Sequence, residues 1–318
     1  MRSNTLNTLR KFDLIIIATA FLLLGYLVTF QRTTDFMIFC LFVVSYDLLY
    51  GYMGRLSFGH MLYLGAGAYA TALFCSHSST TNPLLALLAG IAFAAIIGAL
   101  LGPIIIRTTG ACFALINLAF NQVGYFLVLI GFSTYTGGED GMAVSFSNLG
   151  FINFSDKIVV YFFCLSCLLL VVYFMRRLTT SPFGMLLLGI KENETRSRFL
   201  GYNTVIYKWV AFVFSTGIAG LAGGLSILNY TYVTPSFIDP TRNVEVIFAS
   251  LIGGAGSVYG ALMGGVTYMM VSNYLPNYIQ RWEMFLGIML LVLVFWFREG
   301  VWGYLIRVTH KQGEETSS

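Results

Sequence analysis

Charge is what this sequence has least of. Asp, Glu, Lys and Arg make up only 10% of its 318 residues, against about 25% in an ordinary soluble domain. No acidic or basic side chain occurs from Leu56 to Ile106, from Thr108 to Gly138 or from Trp209 to Ile238. Each stretch has room for one or more membrane spans of about 20 residues. Histidine is scarce too: His60, His77 and His310 lie far apart, no H-E-x-x-H occurs, and no pair of carboxylates shares an apolar run. The machinery of intramembrane hydrolysis is therefore missing, and no metal or other cofactor is expected. The lack of a G-x-x-x-x-G-K-[ST] loop excludes ATP binding by a P-loop in this chain. The five cysteines, Cys40, Cys75, Cys112, Cys164 and Cys167, lie in or beside apolar runs, where a thiol behaves as a small hydrophobe.

What is there is apolar. Hydrophobic residues make up 57% of the chain and aromatics 16%, the composition of an all-α polytopic membrane protein built as one transmembrane domain over residues 1–318. The net charge of +4 bears on membrane sidedness and not on nucleic acid. The first apolar run, Leu14 to Phe30, follows Arg2, Arg10 and Lys11 as in a secretory signal, but no small-residue cleavage site follows, so it reads as a retained helix. Further spans are expected at Phe36 to Tyr50, Ser57 to Cys75, Pro83 to Ile106, Ala111 to Phe132, Ile158 to Met175, Trp209 to Asn229 and Met284 to Phe297. That makes eight transmembrane helices. A ninth apolar region, Val246 to Val271, is interrupted by "GGAGSVYG" and reads as a broken or re-entrant helix pair.

With the N-terminus inside, fourteen of the eighteen Lys and Arg residues fall on the cytoplasmic side, leaving Arg32, Lys157, Arg242 and Arg281 outside. Residues 176–208 then form the longest cytoplasmic loop. Five of the eight residues from Lys191 to Arg198 are charged. Glu192 with Arg196 and Glu194 with Arg198 stand at i, i+4 with the acid first, which supports a short surface helix between Pro182 and Gly201 by about 0.2–0.5 kcal/mol per pair. Such a segment is either a solvated connector or a docking element for a soluble partner.

Polar groups inside the spans are few. Asp47 is the one carboxylate within a span and stands within reach of a local pair with Arg55. Asn117, Asn121 and Gln122 share the fifth span, with Ser57 and His60 at the mouth of the third; such groups either bond across helices or meet a small polar solute. The outer loop Thr134 to Met142 is glycine-rich and acidic, as a gate, a contact or a turn would be. The Gly51–Gly67 stretch and the Gly253–Gly265 stretch, with Gly254 and Gly256, are similar glycine-rich turns before apolar helices, the mark of a possible inverted repeat with a path between its halves.

The ordered segments "YDLLYGYMGRLSFGHMLYLGAGAY", "TGGEDGM", "GIKENETRSRFLGYNTVIYKWVAF", "STGIAGLAGGL" and "IGGAGSVYGALMGG" resemble the permease subunits of branched-chain amino acid ABC importers, the LivM type. The resemblance implies an inner-membrane half-transporter. Its partners would be a second permease subunit, two cytoplasmic ATP-binding subunits and an external solute-binding protein, with membrane lipid around it. It further implies an ATPase-coupling segment in which Glu192, Asn193, Glu194, Arg196, Arg198 and Gly201 take part. Asp47, Ser57, His60, Asn117, Gln122, Gly254 and Gly256 are the candidates for the translocation path. Asp47, Arg55 and Asn117 depart from the residues more usual in the family, which leaves urea or a short amide as an alternative solute to a small neutral amino acid. A stand-alone carrier or channel is the other alternative.

Overall fold

The computed structural model describes residues 2–77, 82–146, 154, 156–279, 281–296, 300 and 302–303. The expected positions Phe297, Arg298, Arg307, His310 and Lys311 lie outside them. The helices are α1 (Arg2–Leu27), α2 (Phe30–Asp47), α3 (Met61–His77), α4 (Pro83–Ile105), α5 (Ala111–Phe126), the single turn α6 (Ser133–Thr136), α7 (Lys157–Thr180), α8 (Pro182–Phe199), α9 (Thr204–Tyr230), α10 (Asn243–Gly253), α11 (Val258–Tyr274) and α12 (Trp282–Trp296). Among the described residues, five helical stretches are long and apolar enough to cross a membrane: Phe30–Tyr52, Pro83–Ile105, Ala111–Gly131, Lys157–Thr180 and Thr204–Tyr230. Asp13–Leu27 and Met61–Ser76 are shorter apolar helices. The expected polytopic all-α architecture is the one observed.

Local chemistry sets the boundaries. Asn82 accepts the Leu84 N–H at 3.0 Å and Pro83 occupies the first turn, so α4 starts where its apolar run starts. Ser181 does the same between α7 and α8, accepting the Gly184 N–H at 3.4 Å ahead of Pro182. The third span begins at Met61 and not at Ser57. α2 runs on as a π-helical turn, Leu48–Tyr52, and the chain from Met53 to His60 is irregular. Irregular backbone at membrane depth is tolerated only where protein covers it, and Ser57 and His60 are fully buried.

α2 and α9 are the centre of the bundle, with most of their length enclosed, whereas α4 and α5 turn much of theirs outward. The outward faces carry Leu88, Phe93, Ile96, Leu100, Leu115 and Val123, as lipid or an apolar partner requires. The two central helices run antiparallel. Asn229, near the end of α9, donates to Asp35, near the start of α2, at 2.6 Å, and at mid-depth the Ser215 hydroxyl donates to the Ser45 carbonyl at 2.6 Å.

Each central helix leads into a stretch without α-helix and then a further helix. α2 leads into the irregular stretch 53–60 and the short α3. α9 leads with opposite travel into the stretch 231–242, which holds a two-residue strand and two 3₁₀ turns, and then into the short α10. α3 then packs on α4 as α10 packs on α11.

The Val246 to Val271 region is a helical hairpin broken at Gly254 to Ser257. α10 descends to a turn in which Gly256 meets Asp47, and α11 climbs back along α2, where the Cys40 thiol contacts the Leu262 carbonyl at 3.5 Å and Tyr268 stacks on Phe39 at 5.3 Å. On the opposite side of the bundle from α8, two short strands, β1 (Met142–Ala143) and β2 (Tyr232–Val233), pair antiparallel. Together with the bond from the Tyr232 hydroxyl to the Asp140 carbonyl, they pin the Thr134 to Met142 loop to the end of α9.

Candidate functional site

The charged segment is a bent element and not one rod. Asn193 adopts φ −156° and ψ 97° inside α8. Its side chain accepts the Arg196 N–H at 2.9 Å and its carbonyl accepts the Ser197 hydroxyl at 3.3 Å, so it caps a second, short helix that begins at Glu194. Asparagine offers the backbone this alternative to helix continuation. The kink removes one expected ion pair: among the described residues, Glu192 and Arg196 form none, because the helix that would align them is broken between them. The other pair forms, with Arg198 Nη2 2.6 Å from Glu194 Oε1.

Glu194 is the hub. Its Oε1 also accepts from Lys208 Nζ at 2.7 Å and from the Thr204 hydroxyl at 3.1 Å, while Oε2 accepts from Arg55 Nη2 at 3.0 Å. Burial alone pushes the Glu194 carboxyl up, but the hydrogen bonds from Lys208 and Arg198, the Lys208 charge and the Thr204 hydroxyl outweigh it and hold the pKa at about 2. Lys208 was expected only as one basic residue of the loop, yet its side chain is 3% exposed. One carboxylate thus ties α8 to the start of α9 and to the stretch after α2. Lys191 adds a second tie, donating to the Gly51 carbonyl at 2.7 Å. Beyond the hub, Phe199 and Leu200 are 87% and 71% exposed. Gly201 then ends the helix with φ 88°, in open space. The exposed apolar tip escaped notice in the sequence because it follows a charged run; only the fold shows that nothing covers it.

Asp47 does not pair with Arg55, which is taken by Glu194. Asp47 Oδ1 accepts the Gly256 N–H at 2.9 Å. The expectation of a local pair failed because the π turn directs the chain after Tyr52 toward α8, whereas Asp47 faces the turn between α10 and α11. Gly51 packs so closely here that a Cβ would strike both the Asp47 carboxylate and the Gly256 backbone. The two interrupted segments therefore touch each other. Gly254 precedes this contact as the residue ending α10, with φ 95°.

Above the contact lies a buried polar stack. His60 Nε2 is 2.9 Å from the Ser45 hydroxyl, and its ring stacks on Phe42 at 5.3 Å. Ser57 accepts the Gly59 N–H at 3.4 Å. Gly59 in turn packs on the Asn117 carbonyl with no room for a side chain. Asn117 donates to its own helix, to the Phe113 carbonyl at 2.8 Å. Among the described residues, His60 Nδ1, the Tyr63 hydroxyl and Asn117 Oδ1 are buried without a protein partner. Gln122 stands apart, exposed on the outer face of α5.

Asn121 faces inward instead. It donates to the Ile238 carbonyl at 2.7 Å and accepts from Asn243 at 2.7 Å, and Asn243 accepts the Met61 N–H at 2.9 Å. Asn243, which ties α10 to the start of α3 and to the second half of α5, was not singled out in the sequence, where it is one polar residue in a loop. Farther from α8, an open cavity of about 410 Å³ is lined by residues of α2, α3, α9, α10, α11 and the segment after α9.

Residues 28–296 match the family described as branched-chain amino acid transport system / permease component. The high-affinity branched-chain amino acid transport system permease protein LivM of Salmonella typhimurium is 25% identical over 289 residues, which cover 83% of this chain and 68% of the relative. LivM of Escherichia coli K12 is 24% identical over 86% of this chain and 69% of the relative. LivH of Salmonella typhimurium is 24% identical over 80% of this chain and 89% of the relative. No solved structure gives a significant match. With a helical, multi-pass fold and a family match over most of its length, the chain belongs to the branched-chain amino acid permease family and is of the LivM type.

Proposed function

We propose that this protein is the LivM-type permease subunit of an ATP-driven importer in the inner membrane, with its N-terminus in the cytoplasm. It moves branched-chain or other small neutral amino acids inward. Its partners are a second permease subunit, two cytoplasmic ATP-binding subunits and an external solute-binding protein. The observation that carries this reading is the α8 elbow: Phe199 and Leu200 stand exposed beside Arg196 and Arg198, while the base of the elbow is tied through Glu194 to Arg55 and through Lys191 to Gly51. An ATPase subunit that seats this tip and shifts on nucleotide binding pulls on the turn after α2, where the two interrupted segments meet.

The distribution of cations supports the sidedness. Arg55, Lys191, Arg196, Arg198 and Lys208 gather at the elbow end of the bundle, and the opposite end keeps Lys157 and Arg242. Asp47, Gly256, Ser57, His60 and Asn117 form the line through which the movement passes, and Gln122 faces a neighbouring subunit or lipid.

The test is reconstitution of the chain with its ATP-binding, second permease and solute-binding subunits in liposomes. ATP-dependent uptake of L-leucine that disappears when the ATP-binding subunits are left out supports the reading. Uptake by this chain alone overturns it in favour of a stand-alone carrier, and uptake of urea with exclusion of leucine overturns the choice of solute.

A further inference from the structure

The cavity on the side of the bundle away from α8 carries charges of both signs around an apolar body. Asp35 lies at one wall, where the Asn229 amide donates to it at 2.6 Å and Tyr230 gives it a second side-chain hydrogen bond. Arg242 lines another wall, with Nε 3.0 Å from Glu245 and the Nη1 group 3.4 Å from the Ser236 carbonyl. Its side chain is 42% exposed. Tyr230 lines the cavity within electrostatic reach of both Asp35 and Arg242. Ile38, Phe39, Phe42 and Leu64 are among the apolar lining residues. The volume of about 410 Å³ falls within the range of roughly 300–1,000 Å³ typical of small-molecule sites.

The cavity also sits where a path would need it. Phe42 stacks on His60, and Met61 follows His60 directly, so two of its lining residues border the buried polar stack. Its other walls come from the segment after α9 and the start of α10. The cavity thus lies between the start of α3 and the segment that joins α9 to α10.

We propose that this cavity is a docking site for a zwitterionic α-amino acid with an aliphatic side chain. Its ammonium group is received by Asp35 and Tyr230, its carboxylate by the Nη1 side of Arg242, and its side chain by Ile38, Phe39, Phe42 and Leu64. Glu245 serves as the positioning residue for the guanidinium, holding Nε and Nη2 so that Nη1 is left for the ligand, with only the long contact to Ser236 to displace. A neutral solute such as a short amide has no use for opposed charges on two walls. The proposal rests on the permease reading and gives it a specific binding locus in the chain.

The test uses the complete transporter without nucleotide, carrying the Ser226→Cys substitution at a position that lines the cavity, in a background whose native cysteines are replaced by serine. A small water-soluble thiol reagent reports access. Saturating L-leucine is expected to slow labelling about tenfold, because a bound ligand occludes the wall. Leucine methyl ester, which lacks the carboxylate, and 4-methylpentanoate, which lacks the ammonium group, are expected to leave the rate unchanged. Addition of Asp35→Asn or Arg242→Gln is expected to raise the leucine concentration needed for half-protection about tenfold, the loss of one charge-assisted contact worth about 1.4 kcal/mol. Equal protection by leucine and both analogues, or none by leucine in a transporter that still imports it with ATP, overturns the cavity assignment and leaves the permease reading standing. Failure of ATP-driven leucine import in the unmodified complex overturns the permease reading itself.

Discussion

Arg55 Nη2 stands 3.0 Å from Glu194 Oε2, although 139 positions separate the two residues in the chain. Their side chains are 14% and 19% exposed. A pair this enclosed, with hydrogen-bond geometry, couples more strongly than a surface pair. A double-mutant cycle with Arg55→Met and Glu194→Gln, read by thermal unfolding in detergent, is expected to give a coupling of roughly 1 kcal/mol. The same cycle between Arg55 and Asp47 is expected to give about zero. The reverse ordering would place Arg55 with Asp47, as the sequence alone suggested.

Lys208 makes the hub costly to open. Its ammonium group is nearly enclosed, so Glu194→Gln leaves an uncompensated buried charge and is expected to destabilise the protein by about 3 kcal/mol. Adding Lys208→Met to Glu194→Gln is expected to recover part of that loss, because the stranded charge is gone. Melting temperatures of the single and double variants decide between this and a purely additive loss.

The pH dependence follows from the same carboxylate. Its folded pKa, about 2, lies below the ordinary 4.5, so the stabilisation is complete above 4.5 and is lost as pH falls from there through about 2. The Glu194→Gln variant is expected to lose this component of acid sensitivity while other carboxylates keep theirs. Melting temperatures at stepped pH from neutral downward test it; parallel curves for the two proteins would contradict the assignment.

Gly51 and Gly256 hold the two interrupted segments together. Gly51→Val forces a side chain against Asp47 and the Gly256 backbone and is expected to cost about 1–3 kcal/mol by overpacking. Gly256→Ala carries a different penalty, since φ there is 93° and a side chain is strained in that region. Both variants are expected to lower leucine uptake more than ATP hydrolysis. Equal loss of the two activities would show that the contact supports the fold and not the passage.

The helices were largely legible in the sequence because long charge-free runs admit few alternatives in lipid. The break between α10 and α11 was legible for a similar reason, since "GGAGSVYG" cannot continue a helix quietly. The start of α3 was misplaced because Ser57, Phe58 and His60 are apolar or neutral enough to read as a span, and only tertiary enclosure allows them to stay irregular. The ridge was legible as a charge pattern, but its pairing was not. Asn193 breaks the helix on which the Glu192 pairing depended, and the partners that matter, Arg55 and Lys208, come from other elements. Asp35 and Asn243 escaped the sequence reading altogether, for each is a single polar residue near a span end, given meaning by neighbours 100 or more positions away: Asp35 by Asn229 across 194, and Asn243 by Asn121 across 122.

The central claim is that force enters this chain through the Glu194 elbow. It is tested most directly by ATP hydrolysis in the assembled transporter with and without leucine-loaded binding protein. With Glu194→Gln and Arg198→Gln combined, the stimulated rate is expected to fall to the unstimulated level while the complex still purifies intact. Full stimulation in that intact complex would contradict the account.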